Sequence, residues 1–290
     1  MGSSLRAAVR RLDLLVVALL LASLTAIGCG SSPSATTSQV SGTPATPSNS
    51  QVSGQYDLVL SSANRSGDMT TIYSHFVQSG EQITGGSNTL VCPGNDVGQC
   101  KGGDDPATPV TVQGKVRGIN VVLDISFTGI SGADTFTLTG LATGTTLGGS
   151  YTDSLGDAGS WTATPAMHPF GPPPGVYNYT GSLNSTANPL TIPPTLSLQL
   201  GGTGASASNL SGNGMVQSWP CVSSLSVTGQ QFGDAFTMTD TTSKIAILVI
   251  PADSTGTNFL FNYRFDSGAP SCAGDTGLGT LALQPSPFDY

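Results

Sequence analysis

The stretch "INVVLDISF", residues 119–127, places Ile119, Val121, Leu123, Ile125 and Phe127 at every second position, with Asn120, Asp124 and Ser126 between most of them. Successive side chains of a strand point to opposite faces, so this spacing predicts a half-buried β-strand rather than a helical stripe. The same period recurs along the chain. "DTFTLTG" sets Phe136 and Leu138 against Thr135, Thr137 and Thr139, and "TLSLQLG" aligns Leu196, Leu198 and Leu200. "FLFNYRF" aligns Phe259, Phe261, Tyr263 and Phe265, while "KIAILVI" is apolar on both faces and predicts a central strand.

Composition agrees with strands joined by turns. The 290 residues include 38 Gly and 19 Pro, and Glu81 is the sole glutamate among 17 acidic residues. Asp is a turn residue and Glu a helix former, so this bias favours β structure, and no amphipathic helix stands out. Strand counting gives roughly eight per domain at turn-bounded spacing, which fits a small up-and-down barrel or a sandwich.

The body reads as duplicated. Gly54-x-Tyr56 opens one half and Gly175-x-Tyr177 the other; Gly144 precedes Tyr151 by the interval at which Gly256 precedes Tyr263; "GSWTATP" from Gly159 matches "GTLALQP" from Gly279 in length. Between the halves runs the Pro-rich "PAMHPFGPPPG", which cannot join a sheet ladder. The expected organisation is a leader at 1–28, a tether at 29–50, β-domains at 51–165 and 175–290, and a hinge at 166–174. The opening Gly-x-Tyr and the Thr-rich meander resemble the small barrels of the avidin and lipocalin type. That resemblance implies a barrel but carries no ligand-binding position across.

Before the body, Arg6, Arg10 and Arg11 precede an apolar run from Leu14 to Ile27. A bilayer span needs about 20 apolar residues, so this shorter run has the proportions of a secretory signal. Ala26-Ile27-Gly28-Cys29 resembles the bacterial lipobox. The resemblance implies diacylglyceryl transfer to the Cys29 thiol, cleavage between Gly28 and Cys29, and acylation of the new amine; Gly30 in place of Asp implies sorting to the outer membrane. Residues 30–50, "GSSPSATTSQVSGTPATPSNS", carry no charge and no aromatic side chain and are expected to stay disordered as a tether. Four cysteines remain: Cys92, Cys100, Cys221 and Cys272. In an exported chain an even remainder predicts two disulfides. Of three pairings, Cys92–Cys100 with Cys221–Cys272 keeps each bond inside one repeat.

From Cys29 onward six basic residues face 16 acidic ones, a net charge near −10. That excludes nucleic acid and anionic lipid as electrostatic partners. Catalytic signals are sparse. "GISGA" at 129–133 lacks the geometry of a nucleophile elbow. The bases are limited to His168 in the hinge and His75, which alternates with Tyr73 and Val77 as a structural residue does. Asp96, Asp104 and Asp105 offer hard oxygens on one loop and are weak calcium candidates without EF-hand spacing. The aromatic stripe at 259–265 reads as core. We therefore expect a membrane-anchored lipoprotein with a non-catalytic binding or envelope-structural role, an envelope protein, glycan or small apolar ligand as partner, and no cofactor. A small-ligand carrier with a barrel cavity is the alternative and a hydrolase the third reading. Changing Cys29→Ala should abolish incorporation of labelled palmitate and release the protein from membranes; retention at unchanged mass would exclude lipidation.

Overall fold

The structure is a computed structural model that describes residues 48–94, 96–102, 110–129, 132–167, 176–187, 192–203 and 209–285. The leader, Gly28, Cys29, most of the tether, Asp104, Asp105 and His168 lie outside these residues. The first half contains β1 (Gly54–Ser62), β2 (Met69–Ser79), β3 (Gln82–Pro93), the two-residue β4 (Lys101–Gly102), β5 (Val110–Arg117), β6 (Asn120–Gly129), β7 (Gly132–Thr143), β8 (Thr146–Asp153) and β9 (Ala158–Pro165). The second contains β10 (Val176–Ser185), β11 (Thr195–Thr203), β12 (Asn209–Gln217), β13 (Ser224–Phe232), β14 (Ala235–Asp240), β15 (Ile245–Pro251), β16 (Asn258–Phe265) and β17 (Thr276–Leu283). A 3-10 turn at Val97–Gln99 is the one helical element among the described residues.

Each half closes into an eight-stranded antiparallel barrel of up-and-down order. In the first, β1 bonds to both β2 and β9, and the β2–β3 pairing completes the ring, with β4 as a short appendage of β3. In the second, β10 bonds to both β11 and β17. Closure decides between the barrel and sandwich readings in favour of the barrel. Period-2 alternation then sorts side chains inside and out. Val121, Leu123 and Ile125 are buried in the first core with Leu58, Leu60, Phe76 and Trp161. The 259–265 aromatics are buried in the second with Leu196, Leu198 and Leu200. Ile119 departs from its expected inward place. It follows Gly118 in the β5–β6 turn and is 55% exposed, because the alternation begins only where ladder pairing begins, at Asn120.

Both barrels fall within one compact unit, Pro47–Tyr290. They touch through outward faces that are apolar where solvent-facing strands would be polar. Tyr73, Leu90, Cys92 and Val97 of the first barrel pack on Phe232, Ala235 and Ile250 of the second, with Leu248 and Leu260 at the margin. This contact explains why "KIAILVI" is apolar on both faces: no strand of a closed barrel is central, but β15 has a core on one side and a neighbour on the other. The Cys92–Cys100 disulfide ties the loop that carries Val97 across, and Asn262 Nδ2 donates to Val97 O at 3.1 Å.

At one end of the interface the β13–β14 turn seats on β1. Gly233 N donates to Gln55 Oε1 at 2.8 Å and Asp234 N to Asp57 Oδ1 at 2.8 Å, while Gln55 Nε2 donates to Gln231 O at 3.2 Å. Gly233 has φ +55°, and a Cβ there would lie 2.0 Å from Asp57 Oδ1, so only glycine lets the turn approach this closely. The Asp57 and Asp234 carboxyls are themselves hydrogen-bonded. Burial first, then repulsion from Asp234, pushes Asp57 up to about 8. Tyr73, which faces Asp57 across the β1–β2 ladder, is raised by burial and by both carboxyls. Because native Asp57 keeps its proton to higher pH than the unfolded chain does, its contribution is whole below the ordinary value of 3.8. It shrinks as pH rises and is gone above about 8. Urea midpoints taken from pH 5 to 9 should fall more steeply for the natural protein than for Asp57→Asn, whose amide is neutral throughout. Parallel curves would mean that the pair holds no proton.

Candidate functional site

The ladder registers superpose the two halves strand by strand and reveal one constellation built twice. Ser62 on β1 faces Gly159 on β9, which faces Tyr151 on β8. Ser185 on β10 faces Gly277 on β17, which faces Tyr263 on β16. Two residues before each glycine stands an aspartate that joins the serine to the tyrosine. Asp157 accepts from Ser62 Oγ at 2.7 Å and from Tyr151 Oη at 2.9 Å. Asp275 accepts from Ser185 Oγ at 2.8 Å and from Tyr263 Oη at 3.2 Å. The glycine leaves room for the adjoining strand and for the ring: a Cβ at Gly159 would lie 2.0 Å from Ser61 O and 2.9 Å from Tyr151 Cε1, and one at Gly277 2.1 Å from Asn184 O and 2.6 Å from Tyr263 Cε1.

What covers this set differs between the barrels. In the second, Trp219 from the β12–β13 connection lies over Tyr263, with ring centroids 5.1 Å apart and an edge-on tilt of 73°, and against Phe265 at 5.3 Å. Trp219 is 7% exposed, and the Cys221–Cys272 disulfide beside it joins the two loops at that end. In the first barrel the described part of the corresponding β3–β5 connection carries the Cys92–Cys100 loop, whose Val97 packs on the neighbouring barrel. The position of Phe265 is taken by Asp153. Among the described residues no aromatic side chain from that connection lies over Tyr151.

Among the described residues, a cavity of about 350 Å³ occupies this mouth. Phe127 and Phe136, stacked at 5.6 Å, and Tyr151, edge-on to Phe136 at 6.1 Å, form its aromatic wall. Leu60, Thr70 and Val91 line it from the barrel interior, and Gln99 and Lys101 from the disulfide loop. Met69 and Leu155, 48% and 60% exposed, place large apolar side chains on the rim.

The polar groups of the mouth are largely engaged with one another. The Ser62 hydroxyl holds the Asp157 carboxyl below its ordinary range, helped by Tyr151, the Ala158 N–H and Asn64. Burial first, then its bond to Asp157, pushes Tyr151 up to about 12, so it is a hydrogen-bond donor at neutral pH. Asp134 accepts from Ser154 Oγ at 2.6 Å and from Thr135 N at 2.7 Å, and Asp153 accepts from Leu155 N and Asp157 N. Arg65 lies 3.3 Å from Asp68 and 3.9 Å from Asp157 with its side chain 64% exposed, a pairing weak enough to exchange for a ligand.

Of the residues singled out from sequence, Cys92 is bonded to Cys100 and Cys221 to Cys272. Asp96 caps the 3-10 turn, its carboxylate accepting from Gly98 N at 2.9 Å. No group of three or more His, Cys, Asp or Glu among the described residues is placed to hold a metal ion. His75 faces Gln55 across the β1–β2 ladder, away from the mouth, with its pKa lowered by burial. The Ser–Asp–Tyr sets escaped the sequence reading, although an Asp-x-Gly before the last strand of each half, "DAG" at 157–159 and "DTG" at 275–277, marks both.

No family model matches the chain. No curated protein matches it either. Among solved structures, a protein of unknown function from the DUF3598 family of Nostoc punctiforme is similar at 9% identity and a TM-score of 0.24. The match covers 81% of this chain and 96% of that one.

The asymmetry between the mouths has measurable weight. Removing the Trp219 indole with Trp219→Ala should cost about 3–5 kcal/mol in a denaturant melt, the usual range for a large buried aromatic. Tyr151→Phe should cost about 1 kcal/mol, since Asp157 keeps its bonds from Ser62, Asn64 and the Ala158 N–H. A loss below about 1 kcal/mol for Trp219→Ala would mean that the indole does not close the second mouth.

Proposed function

We propose that the protein is a lipid-anchored envelope protein, sorted to the outer membrane, that holds a small and largely apolar ligand in the mouth of its first barrel without chemical turnover. One observation carries the binding reading: the Ser–Asp–Tyr set is roofed by Trp219 in the second barrel and lines a cavity of about 350 Å³ in the first. That volume lies within the roughly 300–1,000 Å³ range of small-molecule pockets. The lining suits an aromatic or alicyclic body against Phe127 and Phe136, with hydrogen-bonding groups directed to Arg65 and the Asp157 cluster. Binding rather than catalysis is favoured by the use of the polar groups. Ser62 donates straight to a carboxylate, with no imidazole between them, and Tyr151 stays protonated. Anchoring rests on the lipobox resemblance at Ala26–Cys29, and the acidic surface disfavours electrostatic attachment to anionic lipid.

The neutral dye N-phenyl-1-naphthylamine should bind one site per chain with enhanced fluorescence. Thr70→Trp, which puts an indole into the first mouth, should weaken binding at least tenfold, and Trp219→Ala should add a second, weaker site. Dye affinity indifferent to Thr70→Trp would remove the mouth as the binding site.

A further inference from the structure

We propose a second, separate ligand site: the groove on the outer wall of the second barrel, bounded by the disulfide loop of the first, takes an amphiphilic carboxylate with Arg264 as its counter-ion. The groove measures about 320 Å³ and runs across β14–β17. The registers fix its floor as two adjoining rows of outward side chains. Thr237, Leu248, Asn262 and Leu278 face one another in the first row, and Ala246, Arg264 and Thr276 in the second. Ala246, the smallest of these, makes the depression, and Cys100 forms the far wall. With strands about 4.8 Å apart, Thr237 and Leu278 are separated by about 14 Å, room for a medium-length acyl chain lying across the sheet.

Two observations set the ligand's chemistry. Thr237 lines the groove at 4% exposure, and its hydroxyl has no hydrogen-bond partner. Buried hydroxyls are nearly always paired, so this one marks a point where the groove can donate to an acceptor. Arg264 makes no ion pair among the described residues, in a chain where nine basic residues face 17 acidic ones. The acid nearest along its strand, Asp266, is occupied by Gly268 N at 2.7 Å and by Ser267. A lone guanidinium binds a monovalent carboxylate in bidentate fashion, whereas a dianionic phosphate would need more positive charge than this surface offers. Leu248 and Leu278, the latter 52% exposed, supply the apolar track beside it. The site is independent of the mouth, which opens into the first barrel rather than onto the outside of the second.

Isothermal titration of the full mature chain with decanoate tests the assignment. One site per chain is expected, weakened at least tenfold by Arg264→Gln, less by Arg264→Lys, several-fold by Thr237→Val, and untouched by Thr70→Trp. Arg264 is exposed, so its variants should melt as the natural protein does. Absence of decanoate binding, an affinity unchanged in Arg264→Gln, or a loss caused instead by Thr70→Trp would each overturn the proposal. An unchanged affinity in Thr237→Val together with a raised melting temperature would also count against it, since the hydroxyl would then be a mere packing defect.

Discussion

An antiparallel sheet with free margins leaves a row of unpaired N–H and C=O groups along each edge, and closing the sheet removes them. Here closure is made by β2 with β3 in one half and by β10 with β17 in the other, and the remaining features follow from it. An eight-stranded ring has an interior that side chains just fill, so space for a ligand arises at an end rather than along the axis. Which end is sealed is then a matter of loops. The connection after the third strand of the ring folds inward in one barrel, with Trp219, and outward in the other, with Val97. The outward-turned Val97 supplies part of the apolar contact that holds the barrels together.

How far this could be read from sequence depends on what period 2 encodes. Alternation identifies strands and their inner faces, as at Leu196–Leu200 and Phe259–Phe265, because burial acts on every second side chain. It is blind to register. The pairing of Tyr56 with Tyr177 as equivalent openings is two residues out: Ser62 and Ser185 occupy the same place, which equates Tyr56 with Tyr179. The match of Gly159 to Gly279 is displaced equally, since Gly159 corresponds to Gly277, whereas Tyr151 and Tyr263 do coincide. A shift of two preserves inside and outside, so no hydrophobic pattern could have revealed it. The mouth was illegible for a different reason. Its walls come from strands and loops distant in the chain, and only closure brings Ser62 to Asp157.

Charge is used sparingly. Several carboxylates in the body are turned back on their own loops, as Asp96, Asp153 and Asp253 are, each accepting from backbone N–H groups two or more residues on. Four are placed in deeper networks: Asp157 and Asp275 under the tyrosines, and Asp234 with Asp57. A chain with so few cations cannot pair most of its acids with lysine or arginine. It satisfies them with hydroxyls, amides and backbone instead, or lets one keep its proton. Net acidity and a low count of ion pairs are therefore two sides of one design, and they make Arg65 and Arg264 conspicuous where they meet cavities.

The contact between the barrels joins unlike surfaces, since β1–β3 of one meet β13–β16 of the other, strands that correspond to β5–β8 of the first. Such an arrangement is head-to-tail, and repeated between identical barrels it would not close on itself but would continue as a filament. In the fused chain the two faces that would carry the series onward are more polar, with Thr111, Gln113, Lys115 and Asp124 on the first barrel and Thr180, Ser197, Gln199 and Asn213 on the second, around the exposed Val122, Leu141 and Met215. The adhesive pair of faces is thus spent within the chain, between its own two barrels.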